Sequence, residues 1–254
     1  MREKLPSVLR PFAPMASSIF GGVTSLRNWT FDQGWRVGEP PVPVISVGNL
    51  SVGGSGKTPL VMWLVERLRE SGFCPAIAMR GYGSRTHGHS DEEAEYFERL
   101  GAETPIIAQP NRMKGLRSRC ESDSAIDCCV LDDGFQHRMV GRILDLVTID
   151  ATQNTLHDRL LPMGYLRELP LSLKRADGVI VTRAGSFDAE LSARIEAISG
   201  AAPLAWVNHV WKSLVRHDVS GEQKCDPEQL KAMRVVTALG VGNPASVCQQ
   251  VKNY

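Results

Sequence analysis

Val44-Ile45-Ser46-Val47-Gly48-Asn49-Leu50 runs directly into Ser51-Val52-Gly53-Gly54-Ser55-Gly56-Lys57-Thr58-Pro59, the strongest signal in the chain. Its first half is a short apolar run of strand length, Val42–Val47. Its second half is rich in glycine and opens an amphipathic helix whose face carries Leu60, Trp63, Leu64 and Leu68. Strand, glycine loop and helix in that order are the setting of a Walker A phosphate-binding loop. Glycines let backbone N–H groups close around phosphate oxygens. The helix that follows turns its positive end toward the anion. Lys57 is then placed for β- and γ-phosphates, and Thr58 for a magnesium ion. Pro59 sits in the first helical turn, where its missing N–H is not needed. Ser51 stands where the strict pattern has glycine, which leaves open a glycine turn that only looks like a phosphate loop.

Outward from this loop the same rhythm continues. Apolar runs recur at Ala76–Met79, Pro105–Ala108, Cys128–Leu131, Leu146–Ile149, Val179–Val181, Leu204–Val207 and Val235–Leu239, with amphipathic stretches between several of them. Continuously apolar strands alternating with helices predict a parallel sheet covered on both faces. The predicted fold is therefore α/β, a P-loop NTPase-like, mostly parallel sheet. Gly185 to Asp188 begins another helix, and residues 212–232, polar and unpatterned, form a loop or small excursion.

Cys128-Cys129-Val130-Leu131-Asp132-Asp133 is a strand ending in two carboxylates. The carboxyl end of a parallel strand is where ligands bind in such sheets. Adjacent acids repel unless a cation lies between them, so the pair suits Mg2+ beside the phosphate loop. Asp-Asp-Gly is also an ordinary solvated turn. Arg80-Gly81-Tyr82-Gly83 ends another strand, where Arg80 can meet phosphate. His137, His157, His209 and His217 read as surface or core residues. His87 and His89 read as part of a mobile loop with Arg85, and Thr182-Arg183 as neighbours of a nucleotide base.

Residues 1–40 differ in character. Met15, Ile19, Phe20, Val23, Leu26 and Trp29 recur at helical spacing, bordered by Arg10, Arg27 and Arg36. An amphipathic helix is predicted, either packed on the main domain or lying in a membrane interface. No apolar run reaches the ~18 residues of a spanning helix, and no signal peptide is expected. Six cysteines without a C-x-x-C pair give no zinc site and suit a reducing, cytosolic setting. Cys128 and Cys129 read as small hydrophobes. A net charge of +1 provides no general basic field, so no nucleic-acid partner is expected.

Taken together, the V-G-N-L-S-V-G-G-S-G-K-T-P block at 47–59, R-G-Y-G at 80–83, L-D-D-G-F-Q-H at 131–137 and L-P-M-G-Y-L-R-E at 161–168 resemble the tetraacyldisaccharide 4′-kinase family of lipid A biosynthesis, over roughly residues 10–247. The resemblance implies transfer of the γ-phosphate of ATP to the 4′-hydroxyl of an acylated glucosamine disaccharide 1-phosphate. It places the enzyme peripherally at the cytoplasmic face of the inner membrane. It makes residues 14–33 an interfacial anchor. It divides the chain into a membrane-associating segment, 1–40, and a P-loop kinase domain, 41–254.

Site roles carried over by the motifs are ATP binding by Ser51, Val52, Gly53, Gly54, Ser55, Gly56, Lys57 and Thr58. Metal binding falls to Thr58, Asp132, Asp133 and Glu168, and catalysis to Lys57, Arg167 and Asp91. Asp91, in Ser90-Asp91-Glu92-Glu93, stands in for the acid of the family's G-D-E-P segment. Leu239-Gly240-Val241-Gly242-Asn243-Pro244 resembles the family's G-x-x-N-P turn, but no F-P-D-H motif with its histidine follows. Two further readings therefore stand beside the kinase: a truncated, inactive ATP-binding member, and a P-loop NTPase with no lipid acceptor.

Overall fold

In the computed structural model β1 (Val44–Asn49) is the middle of a seven-stranded sheet. The other strands are β2 (Pro75–Met79), β3 (Ile106–Ala108), β4 (Cys128–Asp132), β5 (Leu144–Asp150), β6 (Gly178–Thr182) and β7 (Ala205–Trp206). Their order is β3-β2-β4-β1-β5-β6-β7, and every neighbouring pair is parallel. The expected α/β sheet is thus present. The structure describes residues 11–81, 91–208, 210–211, 213–218, 221–237, 247–248 and 251–252, with the side chains of 91–93, 218 and 232 left out. Tyr82, Gly83, Arg85, His87, His89, Ser90, His209 and the segment 239–244 lie outside the described residues, as does Arg10.

Both faces of the sheet are buried, which is why its strands read as unbroken apolar runs. Successive residues enter opposite cores. Val47, Ile77, Met79 and Val130 pack with Leu60, Val61 and Val65 of α2 (Lys57–Glu70) and with Tyr96 and Leu100 of α3 (Asp91–Leu100). On the other face, Val44, Ala76, Ala78, Cys129 and Leu131 pack with Leu116 of α4 (Arg112–Ser122). Further along, Val147, Ile149, Val179 and Val181 meet Ile195 of α5 (Ala189–Ser199). Each such fully buried aliphatic side chain contributes about 1.5–3 kcal/mol. Asp188 caps α5 by accepting from the Leu191 N–H at 3.0 Å, and Gly200, at φ 91°, ends it. The Cys128 and Cys129 thiols are buried, and burial pushes that of Cys128 up to about 12, so both act as apolar residues.

Two expectations are corrected. Residues 212–232 contain an antiparallel hairpin, β8 (Leu214–Asp218) and β9 (Gly221–Cys225), followed by a 3-10 turn at Pro227–Ala232. The expected strand at Val235–Leu239 does not form over its described part, and Val236 is fully open to solvent. With no core partner among the described residues, its apolar character carries no strand there.

The N-terminal helix α1 (Ala13–Asp32) is present, but its inner face is not the apolar one. Ala13 and Ser17 are buried, and Ser17 Oγ donates to Leu160 O at 3.0 Å. Arg138 Nη1 donates to Asn28 O at 2.9 Å. Meanwhile Met15, Ile19, Val23, Leu26 and Trp29 point outward, each between 59% (Trp29) and 64% (Leu26) exposed. Among the described residues no helix is long and apolar enough to cross a membrane.

Candidate active site

The glycine loop leaves β1 at its carboxyl end and is laced to the segment 165–167. Val52 N–H donates to Tyr165 O at 2.8 Å, and Arg167 N–H to Leu50 O at 2.7 Å. Ser55 Oγ shares a 2.8 Å hydrogen bond with Thr148 Oγ1 of β5. Gly53 (φ 114°) and Gly56 (φ 77°) adopt backbone conformations that side chains rarely take, and α2 starts immediately after with Lys57.

β4 lies beside β1 in a register that pairs Val47 with Asp132, so its acidic end reaches the loop. Lys57 Nζ is 3.7 Å from Asp133 Oδ1. Asp133 is gripped by Arg167 through both oxygens, at 2.6 and 2.7 Å. Burial alone would raise the Asp133 carboxyl; the Arg167 fork, with Lys57 and Arg112 behind it, holds it well below the usual range. Arg167 also donates to Asn49 Oδ1. Arg167 therefore acts here as the clamp that fixes one acid against the end of β1.

Asp132 is different. It is 5% exposed, and its Oδ2 accepts from Tyr96 Oη at 2.8 Å. Its Oδ1 is buried without a hydrogen-bond partner among the described residues. Burial raises its carboxyl above the usual value, with Lys57 pulling the other way. An orphaned carboxylate oxygen beside Lys57, with Thr58 one residue on, is a donor set that fits a hard divalent cation.

Among the described residues no three His, Cys, Asp or Glu side chains are grouped to hold a metal. Glu168 is 1% exposed, and its Oε2 accepts from Arg175 Nη1 and Asn28 Nδ2, each at 2.7 Å, which ties the core to α1. Its Oε1, like Asp132 Oδ1, is buried without a hydrogen-bond partner among the described residues. It lines a cavity of about 280 Å³ with Thr24, Trp29 and Arg138. Asp91 is the first residue of α3, and its side chain is outside the described set.

Sequence reasoning missed three contributors. Tyr96, on α3, was not singled out, yet its hydroxyl reaches Asp132. Arg112, in the first turn of α4, is 3% exposed and donates to Asp133 O at 3.0 Å. Asn49 is 1% exposed and receives Arg167. Only the V-G-N block signalled Asn49; nothing marked the other two.

His137 lies below this acidic end. Burial, then the positive charges of Arg112, Arg142, Arg27 and Arg80, lower its imidazole to about 4. An unfolded histidine titrates near 6.5. Between those values the unfolded chain binds more protons, so stability rises with pH. The contribution is complete above about pH 6.5 and is lost as pH falls toward 4, with a magnitude of roughly 2 kcal/mol after solvent screening. Urea midpoints of wild type and His137→Gln at pH 7 and pH 4.5 check this. The variant should lose less stability on acidification, and parallel losses would refute the assignment.

A glycine loop between β1 and α2, with its Lys57 paired to Asp133 just past the end of the adjacent parallel strand, defines a P-loop NTPase-like α/β protein. The family model described as Tetraacyldisaccharide-1-P 4'-kinase matches residues 7–254, and the chain belongs to that family. It is 37% identical over 187 residues to the Tetraacyldisaccharide 4'-kinase of Aeromonas hydrophila, covering 68% of this chain and 54% of that protein. The kinase of Chlorobaculum tepidum is 38% identical over 192 residues, again 68% of this chain and 54% of the relative. The chain thus spans just over half the length of these relatives. The solved LpxK of Aquifex aeolicus, in complex with ATP, superposes with a TM-score of 0.68 at 30% identity, covering 98% of this chain and 78% of that one.

Proposed function

We propose that the chain binds ATP with Mg2+ and transfers the γ-phosphate to the 4′-hydroxyl of an acylated glucosamine disaccharide 1-phosphate. The observation that carries this reading is the pairing of Lys57, at the end of the glycine loop, with Asp133, the residue that follows β4. Family membership supplies the acceptor class.

In this reading the loop amides of residues 53–58 cradle the phosphates, and Lys57 offsets the charge that spreads over the transferred group. Thr58 and Asp132 would hold the metal, with Asp133 set beside them by Arg167. Magnesium, when bound, would supply positive charge that offsets the negative charge of the phosphate chain. Asp91 takes the proton of the attacking hydroxyl. Asp91 opens α3, the helix whose Tyr96 hydrogen-bonds Asp132 at the end of β4. Catalysis of this kind rests on positioning and electrostatics.

The acceptor's acyl chains remain in a bilayer, so the enzyme must work at its surface. The outward stripe of α1 serves as the interfacial contact, with residues 1–40 the membrane-associating segment, 41–254 the kinase domain and the cytoplasmic face of the inner membrane the site of action. A soluble helix normally buries its apolar face; α1 instead holds the core through Ser17, Asn28 and its close-packed small residues. Changing Ile19, Val23 and Leu26 together to aspartate should cut co-sedimentation with phospholipid vesicles by at least about tenfold, since each buried apolar side chain is worth roughly 1.5–3 kcal/mol. The fold should survive, because these side chains are exposed. Unchanged vesicle binding would remove α1 from the membrane contact.

The deciding experiment incubates the protein with γ-labelled ATP, Mg2+ and tetraacyldisaccharide 1-phosphate in detergent micelles. Label on the lipid supports the kinase. Phosphate release indifferent to lipid identifies a hydrolase, and nucleotide binding without either product identifies an ATP-binding member that does not transfer.

A further inference from the structure

Two carbonyls in the middle of the glycine loop are held from outside by consecutive residues at the end of β6. Thr182 Oγ1 donates to Ser55 O at 2.7 Å. Arg183 Nη1 donates to Gly54 O at 2.7 Å and to Asp150 Oδ2. Thr182 is fully buried, and Asp150, the last residue of β5, is 2% exposed. Asp150 is itself fixed, accepting from Thr152 N–H at 2.9 Å, Thr152 Oγ1 at 2.6 Å and Gln153 Nε2 at 2.9 Å. The register of β5 and β6 places Asp150 directly opposite Thr182.

Geometry gives these contacts a consequence. A peptide unit is planar, with its C=O and the next N–H pointing in opposite directions. Holding Gly54 O and Ser55 O toward β5 and β6 therefore turns the N–H groups of Ser55 and Gly56 the other way, into the concavity of the loop. Left alone, the peptides around Gly53 and Gly54 have little steric reason to keep one orientation. Arg183 itself adopts φ 52°, a region that costs a non-glycine residue about 1–2 kcal/mol. Such an outlier persists where its surroundings hold it, and here the holders are Asp150 and the loop.

We infer that Thr182 and Arg183, braced by Asp150, are positioning residues that preset the loop's amides for the phosphate chain of the nucleotide. The inference rests on the nucleotide-binding reading above and adds to it a specific device outside the loop. It differs from the expectation that Thr182-Arg183 neighbours the base: the side chains are committed to the loop backbone.

The test measures affinity for ATP and for inorganic tripolyphosphate, which has the phosphates but no nucleoside, in the full chain with magnesium. Arg183→Ala and Thr182→Val should weaken both ligands by the same factor, about tenfold. Thr182→Ser keeps the hydroxyl and Arg183→Lys keeps a charged donor, and both should stay within about threefold of wild type. Thr182→Val is nearly isosteric, and circular dichroism melting controls for a purely structural loss. A drop for ATP with tripolyphosphate unchanged would mean that Arg183 reads the nucleoside, and would overturn the inference. Unchanged affinity for both ligands would overturn it as well. Wild-type protein that binds neither ligand would sink the nucleotide reading itself, and the device with it.

Discussion

Lys57→Ala is expected to lower phosphoryl transfer by about 10²–10³-fold, the usual cost of deleting one electrostatic contact to a transition state, while the melting temperature moves little. Charge that acts on a ligand is separable here from charge that holds the fold. Lys57 Nζ stands 3.7 Å from Asp133, a long contact, and the Lys57 side chain keeps 15% of its surface. Asp133 has a stronger partner, the two-pronged Arg167 at 2.6 and 2.7 Å. Removing the lysine therefore leaves Asp133 compensated by Arg167. The buried Asp132 carboxyl, already raised by burial, loses the charge that pulls it down and takes up a proton more readily. The stability cost stays near that of a weak ion pair, about 1 kcal/mol. Transfer, by contrast, would lose the one positively charged side chain among residues 51–58 of the loop. Label transfer to the lipid and thermal melting, measured on the same preparation, check both halves. A variant that transfers at the wild-type rate would remove Lys57 from the site. One that melts far below wild type would show that it holds the fold as well.

The division between what the chain's letters disclose and what they hide follows the physics of each element. Strands buried on two faces must be apolar throughout, so β2, β4 and β6 announce themselves. The glycine loop does too, because close backbone approach to phosphate tolerates few alternatives. Strand order is another matter: nothing within β1 says that its neighbours are β4 and β5. The hairpin β8/β9 was invisible because Arg216, Glu222, Gln223 and Lys224 face solvent and leave no apolar alternation to read. Site residues divide in the same way. Lys57, Asp132 and Asp133 were legible from strand-end placement. Tyr96 and Arg112 were not, since their reach depends on how α3 and α4 dock. Glu168 was legible as a functional letter, but its partners, Asn28 and Arg175, were not, because they come from distant segments. The stripe on α1 was read correctly as a helix face; only the structure tells which way it points.

Gly48→Ala should damage fold and site together, and this contrast with Lys57→Ala tests how the two acids are held. Gly48 is the penultimate residue of β1. A Cβ added there would lie 2.5 Å from Phe135 Cβ, 2.6 Å from Phe135 N and 3.0 Å from Phe135 Cα. Two of those atoms are backbone, so no rotamer change relieves the clash. Phe135 cannot easily retreat either: it is fully buried, and the Arg175 guanidinium sits 3.7 Å above its ring. The loop that carries it is the continuation of Asp132 and Asp133. Overpacking at such a place costs about 3 kcal/mol, the upper end of the usual range. For a domain of this size that corresponds to a melting temperature lower by roughly 6–12 °C. Whatever relief the protein finds must move the turn after Asp133 away from β1, and with it the acids away from Lys57. Transfer should therefore fall even at temperatures where the variant is fully folded, in contrast to a mutation that only weakens the core. Thermal melting followed by label transfer well below the lowered midpoint separates the two effects. Wild-type melting would mean the close approach of Gly48 and Phe135 is not tight in solution, and a folded variant with full activity would show that the spacing between β1 and the acidic turn does not set the geometry of transfer.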